Sequence, residues 1–297
     1  MKRWWIYQKE RFPLAAHGPL ILAFSACAVS FSALLRDAPV PGWQMYLTAF
    51  GVCLLMFLQL RIADEFKDAG EDARWRPYRP VPRGLVKLAE LRVVFIAAAV
   101  VQAALVLALD PRLLWVLGIA WAYLALMSVE FFCRDWLKGR PVIYLVSHMG
   151  IMPLVDFFGT ACEWLPRGAA APEGLGWFLA ASFFNGIVIE IGRKLRQPPA
   201  EEEGVETYSR LWGKSGGAAV WLVAMAATLA TAGLAGAAIG FAVPVVIALG
   251  IVLVAAVALA VGYLRGGLSG KKLETLSAVW TMTLYLMLGL VPLFTLR

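Results

Sequence analysis

The stretch DEFKDAGEDARWRPYRPVPRG, Asp64 to Gly84, decides how the rest of the chain is interpreted, because it closes a strongly apolar segment with an acidic helix and a basic loop. Asp64, Asp68 and Asp72 recur every four residues, which places them near one face of an α-helix with about 6 Å of rise between neighbours. Close carboxylates repel one another unless a cation lies among them. A hard divalent ion such as Mg²⁺ prefers oxygen ligands and often bridges carboxylates to substrate phosphates.

Basic side chains follow these carboxylates and would face the same phosphates. They are Arg74, Arg76, Arg79 and Arg83. The stretch alone leaves a second interpretation open, since an acidic helix end with basic residues after it is commonly a solvated face.

The composition of the chain excludes an ordinary soluble domain. Of its 297 residues, 61% are hydrophobic and 16% are charged, and the mean hydropathy is +0.72, which is typical of a multi-spanning membrane protein. The four cysteines stand singly and form no CxxC pattern, and the two histidines form no HExxH motif. Zinc or dithiol chemistry is therefore not indicated.

Apolar runs along the chain predict an all-α, multi-pass membrane protein in which residues 1–297 form a single membrane domain. Each run is near the roughly 20 residues that a bilayer requires. We predict nine membrane helices at residues 15–35, 43–61, 91–109, 113–132, 142–161, 174–192, 216–237, 242–264 and 274–294.

The distribution of basic residues predicts the orientation of these helices. Of the 27 Lys and Arg residues, the connections on one side hold only Arg36, Arg112, Arg167 and Arg297. By the positive-inside rule, the N-terminus is then cytoplasmic and the C-terminus outside, in the cell (inner) membrane. The net charge of +7 follows from this bias and suits anionic membrane lipid, so it does not argue for nucleic acid as a partner.

A second charged stretch, EIGRKLRQPPAEEEGVETYSRLWG, runs from Glu190 to Gly213 at the end of the sixth predicted helix. An ionisable group at membrane depth is costly, so Glu190 is a candidate functional residue. The simpler alternative is a helix-end ion pair between Glu190 and Lys194 at i, i+4. The two acidic helix ends could converge on one cavity, and this favours metal or phosphate binding.

Three further polar residues each leave two interpretations open. Glu130 could face the cavity or pair with Arg134. His148 and Asp156 share one face of the fifth predicted helix to within about 40°, where they could contact an acceptor or serve as hydrogen-bond partners in packing, which we favour.

These motifs resemble those of the UbiA superfamily of intramembrane prenyltransferases. Asp64, Glu65, Asp68 and Asp72 read DExxDxxxD where the family has NDxxDxxxD, and residues 79–84 read RPVPRG against the family's RPxPxG-like segment. The family also has nine membrane helices and a second acidic motif after helix six, whose start Glu190 matches. The resemblance implies helices arranged around a central cavity, with a cytoplasmic-side cap over the active site.

The resemblance further implies Mg²⁺-dependent transfer of a prenyl group from a prenyl diphosphate to an aromatic or other lipophilic acceptor. The implied catalytic residues are Asp64, Asp68, Asp72 and Glu190. The family's second DxxxD motif is altered here, because Lys194 stands four residues after Glu190, and Glu201 is the candidate for the missing carboxylate. The implied metal ligands are Asp64, Asp68, Asp72, Glu190 and Glu201. The implied substrate-binding residues are Arg79, Arg193, Lys194 and Glu65.

Two alternatives accompany this assignment. A cation-binding transporter or a lipid-binding membrane protein would also carry acidic groups, but a transporter favours inverted repeats and broken helices at mid-membrane, and the sequence shows neither. A non-catalytic UbiA-like member is the other alternative, because the second acidic motif is altered. No residue selects among the acceptors that such enzymes use.

Overall fold

The structure of the protein is a computed structural model that describes residues 2–296, and over this range it consists of helices and their connections. The α-helices are α1 (Lys2–Arg11), α2 (Leu14–Leu35), α3 (Trp43–Lys67), α4 (Ala69–Trp75), α5 (Leu88–Leu109), α6 (Leu113–Ser128), α7 (Arg134–Lys138), α8 (Pro141–Met149), α9 (Ile151–Trp164), α10 (Leu175–Gly192), α11 (Tyr208–Leu211), α12 (Gly213–Ala238), α13 (Ala242–Leu264), α14 (Gly270–Tyr285) and α15 (Val291–Thr295). Two 3₁₀ turns, Glu130–Phe132 and Pro198–Ala200, and one π turn, Leu286–Leu290, complete the secondary structure.

The prediction of an all-α, multi-pass membrane protein is confirmed. Within residues 2–296, eight segments are long and apolar enough to cross a membrane: α2, α3, α5, α8 together with α9, α10, α12, α13, and α14 through α15. Helix α6 is the counterpart of the predicted span at 113–132. It is apolar but ends at Ser128, so the count of nine is approximate.

Helix α3 extends beyond its predicted end at residue 61, and this places the first acidic motif. Asp64 lies in the last turn of α3, and Asp68 joins α3 to α4. Backbone hydrogen bonds of helical type continue through this junction, from the amide of Asp68 to the carbonyl of Asp64 (2.9 Å) and from the amide of Asp72 to the carbonyl of Asp68 (2.8 Å). The three carboxylates therefore lie on successive turns, as their spacing predicts.

Small residues allow α2 to pack closely at the centre of the bundle. A Cβ atom at Gly289 would lie 2.4 Å from the Cα atom of Cys27 in α2, and one at Gly159 would lie 2.7 Å from the Cβ atom of Ala28. Close backbone approach of this kind is how helices associate in a bilayer, where van der Waals contact replaces hydrophobic burial.

A buried hydrogen bond ties α9 to α14 within the bundle. The Tyr285 hydroxyl donates to Asp156 over 2.9 Å, and Asp156 is fully buried. This is the packing arrangement favoured for Asp156. It holds α9 and α14, and hence the ends of both helices, in one relative position.

The end of the bundle at which α3 stops and α5 begins carries most of the charged residues, and we call it the charged end. Helix α1 packs across it, with Tyr7 buried against Ile62, Val86 and Leu91. An exposed ion pair between Arg3 and Glu90 (2.7 Å) adds a contact to α5. The N-terminal helix thus covers the segment that precedes the first acidic motif.

The opposite end is held by a second, separate ion network. Glu163 is fully buried and lies 2.9 Å from Arg36 and 3.3 Å from Arg167. Arg112, another of the few basic residues predicted on this side of the membrane, pairs with Asp110 just before α6. Arg297 lies outside the described residues. Each of the three described arginines at this end therefore pairs with a nearby carboxylate.

Candidate active site

Asp64 and Asp68 form the accessible half of the first acidic motif. The nearest cations to Asp64 are the guanidinium of Arg61 at 3.5 Å and the ammonium of Lys67 at 3.6 Å. Asp68 is half-buried and has no ion pair among residues 2–296. Burial raises the pKa of Asp68, and the charges of Asp64 and Asp72 raise it further against the opposing charge of Lys67. The carboxylates are thus close enough to repel, which is the electrostatic condition of a cation site.

Asp72 is already neutralised by the arginines that follow it. It is buried, and its two oxygens lie 2.8 Å from the Arg76 guanidinium and 2.7 Å from that of Arg79. The predicted metal ligand therefore holds the predicted diphosphate donor Arg79 in place. In this structure Asp72 positions the basic loop, and direct metal ligation by Asp72 stays a prediction.

Glu65 points toward α1. It is buried, and its carboxylate accepts a short charged hydrogen bond from Arg11. Neighbouring residues of a helix are about 100° apart around its axis, so Glu65 and Asp64 present different faces. The structure does not bring Glu65 together with Asp64 and Asp68, and its predicted substrate-binding role stays a prediction.

Glu190 ends α10 with two cationic partners. Its oxygens lie 2.9 Å from the ammonium of Lys194 and 2.6 Å from Nε of Arg193. The i, i+4 pair considered from the sequence is present. The charge of Glu190, and further that of Asp64, raises the pKa of Arg193. The charges of both acidic helix ends therefore act on Arg193.

Glu201 lies in the loop after α10 and has its own partners. It accepts hydrogen bonds from the hydroxyls of Thr207 (2.7 Å) and Ser209 (2.6 Å), so it organises the start of α11. Over residues 2–296, no three His, Cys, Asp or Glu side chains are grouped to hold a metal ion. The five predicted ligands are thus not gathered into one protein cage.

The two accessible carboxylates, Asp64 and Asp68, nevertheless suit a hard cation. Mg²⁺ commonly keeps several waters and binds through one or two carboxylates plus substrate phosphates. Asp64 and Asp68 supply such a pair on successive turns, and the half-buried Asp68 lacks an ionic partner within residues 2–296. The donor set therefore suits an ion shared with a bound diphosphate.

The two long loops of the charged end dock on each other. Tyr78 donates a hydrogen bond to Glu202 over 2.7 Å. Gly204 has a φ of +69°, and a Cβ atom there would lie 2.3 Å from the Trp75 ring. Arg196, in the same loop as Glu202, pairs with it at 3.0 Å. The loops after α3 and α10 therefore form one surface.

A cluster that sequence reasoning missed lies beside Asp64. Lys67 donates to the Tyr144 hydroxyl over 3.0 Å, and this hydroxyl lies 3.1 Å from Glu130. Lys67 is also 3.4 Å from Glu130. The suggested partner of Glu130, Arg134, lies near Glu71 of α4 instead. The sequence singled out Glu130 and His148 separately and gave the i, i+3 spacing of Lys67 from Asp64, but no signal joined them to Tyr144.

An unusual backbone turn delivers Glu130 to this cluster. Glu130, Phe131 and Phe132 all have positive φ, at 51°, 51° and 59°. L-residues disfavour this region by about 1–2 kcal/mol each, so the turn ends α6 after Ser128 and is sustained by its contacts. His148 is one of these contacts, since its Nε2 lies 3.1 Å from Glu130 Oε2 and its ring packs edge-on against Phe131. Such strain is concentrated at functional sites.

The chain matches one known family over most of its length. A family model described as the UbiA prenyltransferase family matches residues 22–273. The chain belongs to this family. A comparison with curated proteins gave no match.

Two solved structures share the fold of this UbiA family member. The apo structure of a UbiA homologue from Aeropyrum pernix K1 aligns with a TM-score of 0.69 at 15% identity, covering 89% of this chain and 94% of the homologue. A digeranylgeranylglyceryl phosphate synthase aligns with a TM-score of 0.62 at 14% identity, covering 97% and 98% of the two chains. At these identities the likeness concerns the fold.

The Glu130 cluster of this UbiA family member predicts a pH dependence of stability. Burial alone would raise the pKa of Glu130, but the contact with His148 and the charge of Lys67 outweigh it and hold the pKa at about 2, against 4.5 for a free glutamate. A carboxyl group whose pKa is depressed on folding stabilises the protein above its unfolded pKa, and this contribution is lost as the pH falls toward the folded value.

We therefore expect Glu130→Gln to remove part of the acid dependence of the melting temperature. The wild type should lose more stability than the variant between pH 4.5 and pH 2, by on the order of 3 kcal/mol. Thermal melts of both proteins across this range measure the difference. Parallel curves would show that folding does not depress the pKa of Glu130.

Proposed function

We propose that the protein transfers a prenyl group from a prenyl diphosphate to an aromatic or other lipophilic acceptor within the membrane, with Mg²⁺ bound at the charged end. One observation carries this proposal. The accessible carboxylates of Asp64 and Asp68 lie at the same end as the Glu190 pair, and Arg193 is within electrostatic range of both acidic helix ends. Carboxylates for a divalent ion and cations for phosphate oxygens are then available to one diphosphate.

Loss of the diphosphate is the step for which this end is suited. When bound, the divalent ion would neutralise charge on the leaving diphosphate as it develops. Arg193 and Lys194 would donate to its oxygens from the end of α10, and Arg79 from the loop that Asp72 holds. Donors already fixed by ion pairs need little reorganisation, so they stabilise the transition state more than flexible donors would.

Lys67 would act from the other side of Asp64. Its ammonium lies between Asp64 and Glu130, and the Tyr144 hydroxyl accepts its hydrogen bond. These contacts would keep Lys67 directed at Asp64 beside the carboxylate pair. Glu130 is thus a positioning residue in this proposal.

Exclusion of water is the remaining requirement. An allylic cation is quenched by water, so it must form in a covered and apolar site. At the charged end, α1 packs beside the first acidic motif, and the loops after α3 and α10 are joined by the hydrogen bond between Tyr78 and Glu202. The acceptor, being lipophilic, would enter from the bilayer.

For the orientation we propose a cytoplasmic N-terminus and a C-terminus outside. The excess of Lys and Arg at the charged end supports this through the positive-inside rule. It would place the diphosphate site on the cytoplasmic side.

The function is tested by transfer from a radiolabelled prenyl diphosphate to a panel of phenolic and aliphatic acceptors, with purified protein in lipid nanodiscs. We expect labelled lipid product with Mg²⁺, loss of product when EDTA removes the ion, and recovery when Mg²⁺ is restored. Ion flux across proteoliposomes without prenyl turnover would instead support the transporter alternative. Tight binding of the diphosphate with no transfer to any acceptor would support a non-catalytic member.

A further inference from the structure

The two acidic helix ends expose groups of opposite charge. At the end of α3 the carboxylate is the most accessible member of its ion pairs, since the side chain of Asp64 is 32% exposed, against 22% for Arg61 and 13% for Lys67. Asp68, one turn further on, is half-buried and has no ion pair within residues 2–296. An ion that approaches α3 therefore meets carboxylate oxygens.

At the end of α10 the order is reversed. The side chain of Glu190 is 11% exposed, whereas those of Arg193 and Lys194 are 40% and 35% exposed. Both oxygens of Glu190 already have a partner, one in the ammonium of Lys194 at 2.9 Å and the other in Nε of Arg193 at 2.6 Å. An ion that approaches α10 therefore meets a guanidinium and an ammonium before it meets a carboxylate.

The pairs of Glu190 are local, because Arg193 and Lys194 follow it at i+3 and i+4, where side chains meet on one face of a helix. Two cations for one carboxylate leave the end of α10 with a net positive charge. A divalent ion would have to displace one of these cations or lie beside both. Repulsion between like charges is only weakly screened in a partly buried place, so this end of α10 disfavours a metal ion.

The other glutamates of the second charged stretch do not change this balance. Glu201 accepts hydrogen bonds from the buried hydroxyls of Thr207 and Ser209. Glu206 lines a small cleft whose wall also contains Lys138 and Lys194, which are two lysines to one glutamate. The surroundings of Lys194 are thus suited to an anion.

We propose that the end of α10 binds no divalent ion and that the exposed cations of Arg193 and Lys194 bind phosphate oxygens directly, so that one prenyl diphosphate is held with a single divalent ion at Asp64 and Asp68. This inference rests on the proposed function and assigns the number of ions to that site. A guanidinium and an ammonium are both common ligands of phosphate oxygens. Glu190 is then a positioning residue for Arg193 and Lys194, in contrast to the ligand role that its motif predicts.

The ratio of bound ions to bound diphosphate tests the proposal without any transfer reaction. The probes are radioactive Mn²⁺, which takes oxygen ligands as Mg²⁺ does, and tritiated geranyl S-thiolodiphosphate, an analogue whose carbon–sulfur bond resists loss of the diphosphate. The purified protein in detergent is dialysed to equilibrium with both probes, against protein-free micelles. We expect one Mn²⁺ ion for each bound analogue, with the electron paramagnetic resonance spectrum of an isolated ion.

Substitutions of Lys194 give the second measurement. Lys194→Asp places a carboxylate four residues after Glu190 and should bind a second Mn²⁺ ion for each analogue, with a spectrum broadened by coupling between the ions. Lys194→Met should keep a ratio of one and weaken binding of the analogue about tenfold, through loss of a charged hydrogen bond. Lys272→Asp is the matched control, because Lys272 is exposed at the start of α14, and it should behave as the wild type does.

The possible failures can be told apart. Two Mn²⁺ ions for each analogue in the wild type would overturn the single-ion inference and leave the proposed function standing. A single ion in Lys194→Asp, with a gel-filtration profile and melting temperature that show a folded protein, would overturn the role of Lys194. Analogue bound without Mn²⁺, or no binding of the analogue, would count against both the single ion and the proposed function.

Discussion

Asp68→Asn should reduce the rate of prenyl transfer by at least about 100-fold while raising the melting temperature. The rate should fall because Asp68 is the half-buried carboxylate that lacks an ionic partner among residues 2–296, and loss of one preorganised electrostatic contact to a developing charge commonly costs 10²–10³ in rate. The initial rate with radiolabelled prenyl diphosphate and saturating Mg²⁺ measures this effect.

The expected gain in stability follows from the sign of the pKa shift. The folded protein raises the pKa of Asp68, first through burial and then through neighbouring carboxylates. An acid whose pKa is raised on folding destabilises the protein wherever it is ionised, so a neutral asparagine should relieve the repulsion at neutral pH. A rise in melting temperature together with a loss of rate would distinguish a functional carboxylate from a structural one.

Asp135→Asn is the matched control for Asp68→Asn. Asp135 lies on α7 at the same end of the bundle and is exposed. The same change of charge there should leave the transfer rate within about twofold, since exposed charges are screened. If Asp68→Asn transferred the prenyl group at the wild-type rate, the proposed ion site would be wrong.

Gly204→Ala should reduce the rate of prenyl transfer by about tenfold or more, because it should disrupt the docking of the two loops. Gly204 has a φ of +69°, and a Cβ atom there would lie 2.3 Å from the Trp75 ring. The ring or the loop must move, and the hydrogen bond between Tyr78 and Glu202 should break with it. Misplacement of catalytic groups by about 1 Å can cost as much as 10²-fold in rate. Limited proteolysis of the loops, followed together with the transfer rate, would show whether they separate.

Gly266→Ala separates the steric effect from the backbone effect. Gly266 has a φ of +80°, and no atom lies within 4 Å of a Cβ at that position. Both substitutions carry the cost of about 1–2 kcal/mol for a non-glycine residue in the left-handed region, but only Gly204→Ala meets an aromatic ring. Equal losses of transfer in the two variants would show that the contact with Trp75 does not matter.

Contacts that arise within one or two turns of a helix were predictable from the sequence. The placement of Asp64, Asp68 and Asp72 on successive turns follows from their spacing alone. The pair of Glu190 with Lys194 follows from the same helical geometry. Apolar runs near the length of a bilayer likewise predicted the spanning helices, because the membrane imposes that length on each helix independently.

Contacts between distant segments were not predictable in this way. Glu65 lies beside Asp64 in sequence, yet it pairs with Arg11 of α1. Glu202 lies in the loop after α10, yet it accepts a hydrogen bond from Tyr78 of the loop after α3. Each of these glutamates has several cations or hydroxyls within reach along the chain, and only the docking of helices and loops selects one.

The sequence by itself determined the family motifs, the helical register of the first acidic segment and the series of apolar helices, because each of these depends on chain geometry and on the thickness of a bilayer. Tertiary structure alone decided which carboxylates remain accessible to a cation. Local pairs with Arg76 and Arg79 neutralise Asp72, whereas packing at the charged end turns Glu65 away and brings Glu130 to Lys67 beside Asp64 through a left-handed turn. The free energy of an ion pair depends on distance and burial, and neither quantity is encoded in the spacing of residues far apart in the chain.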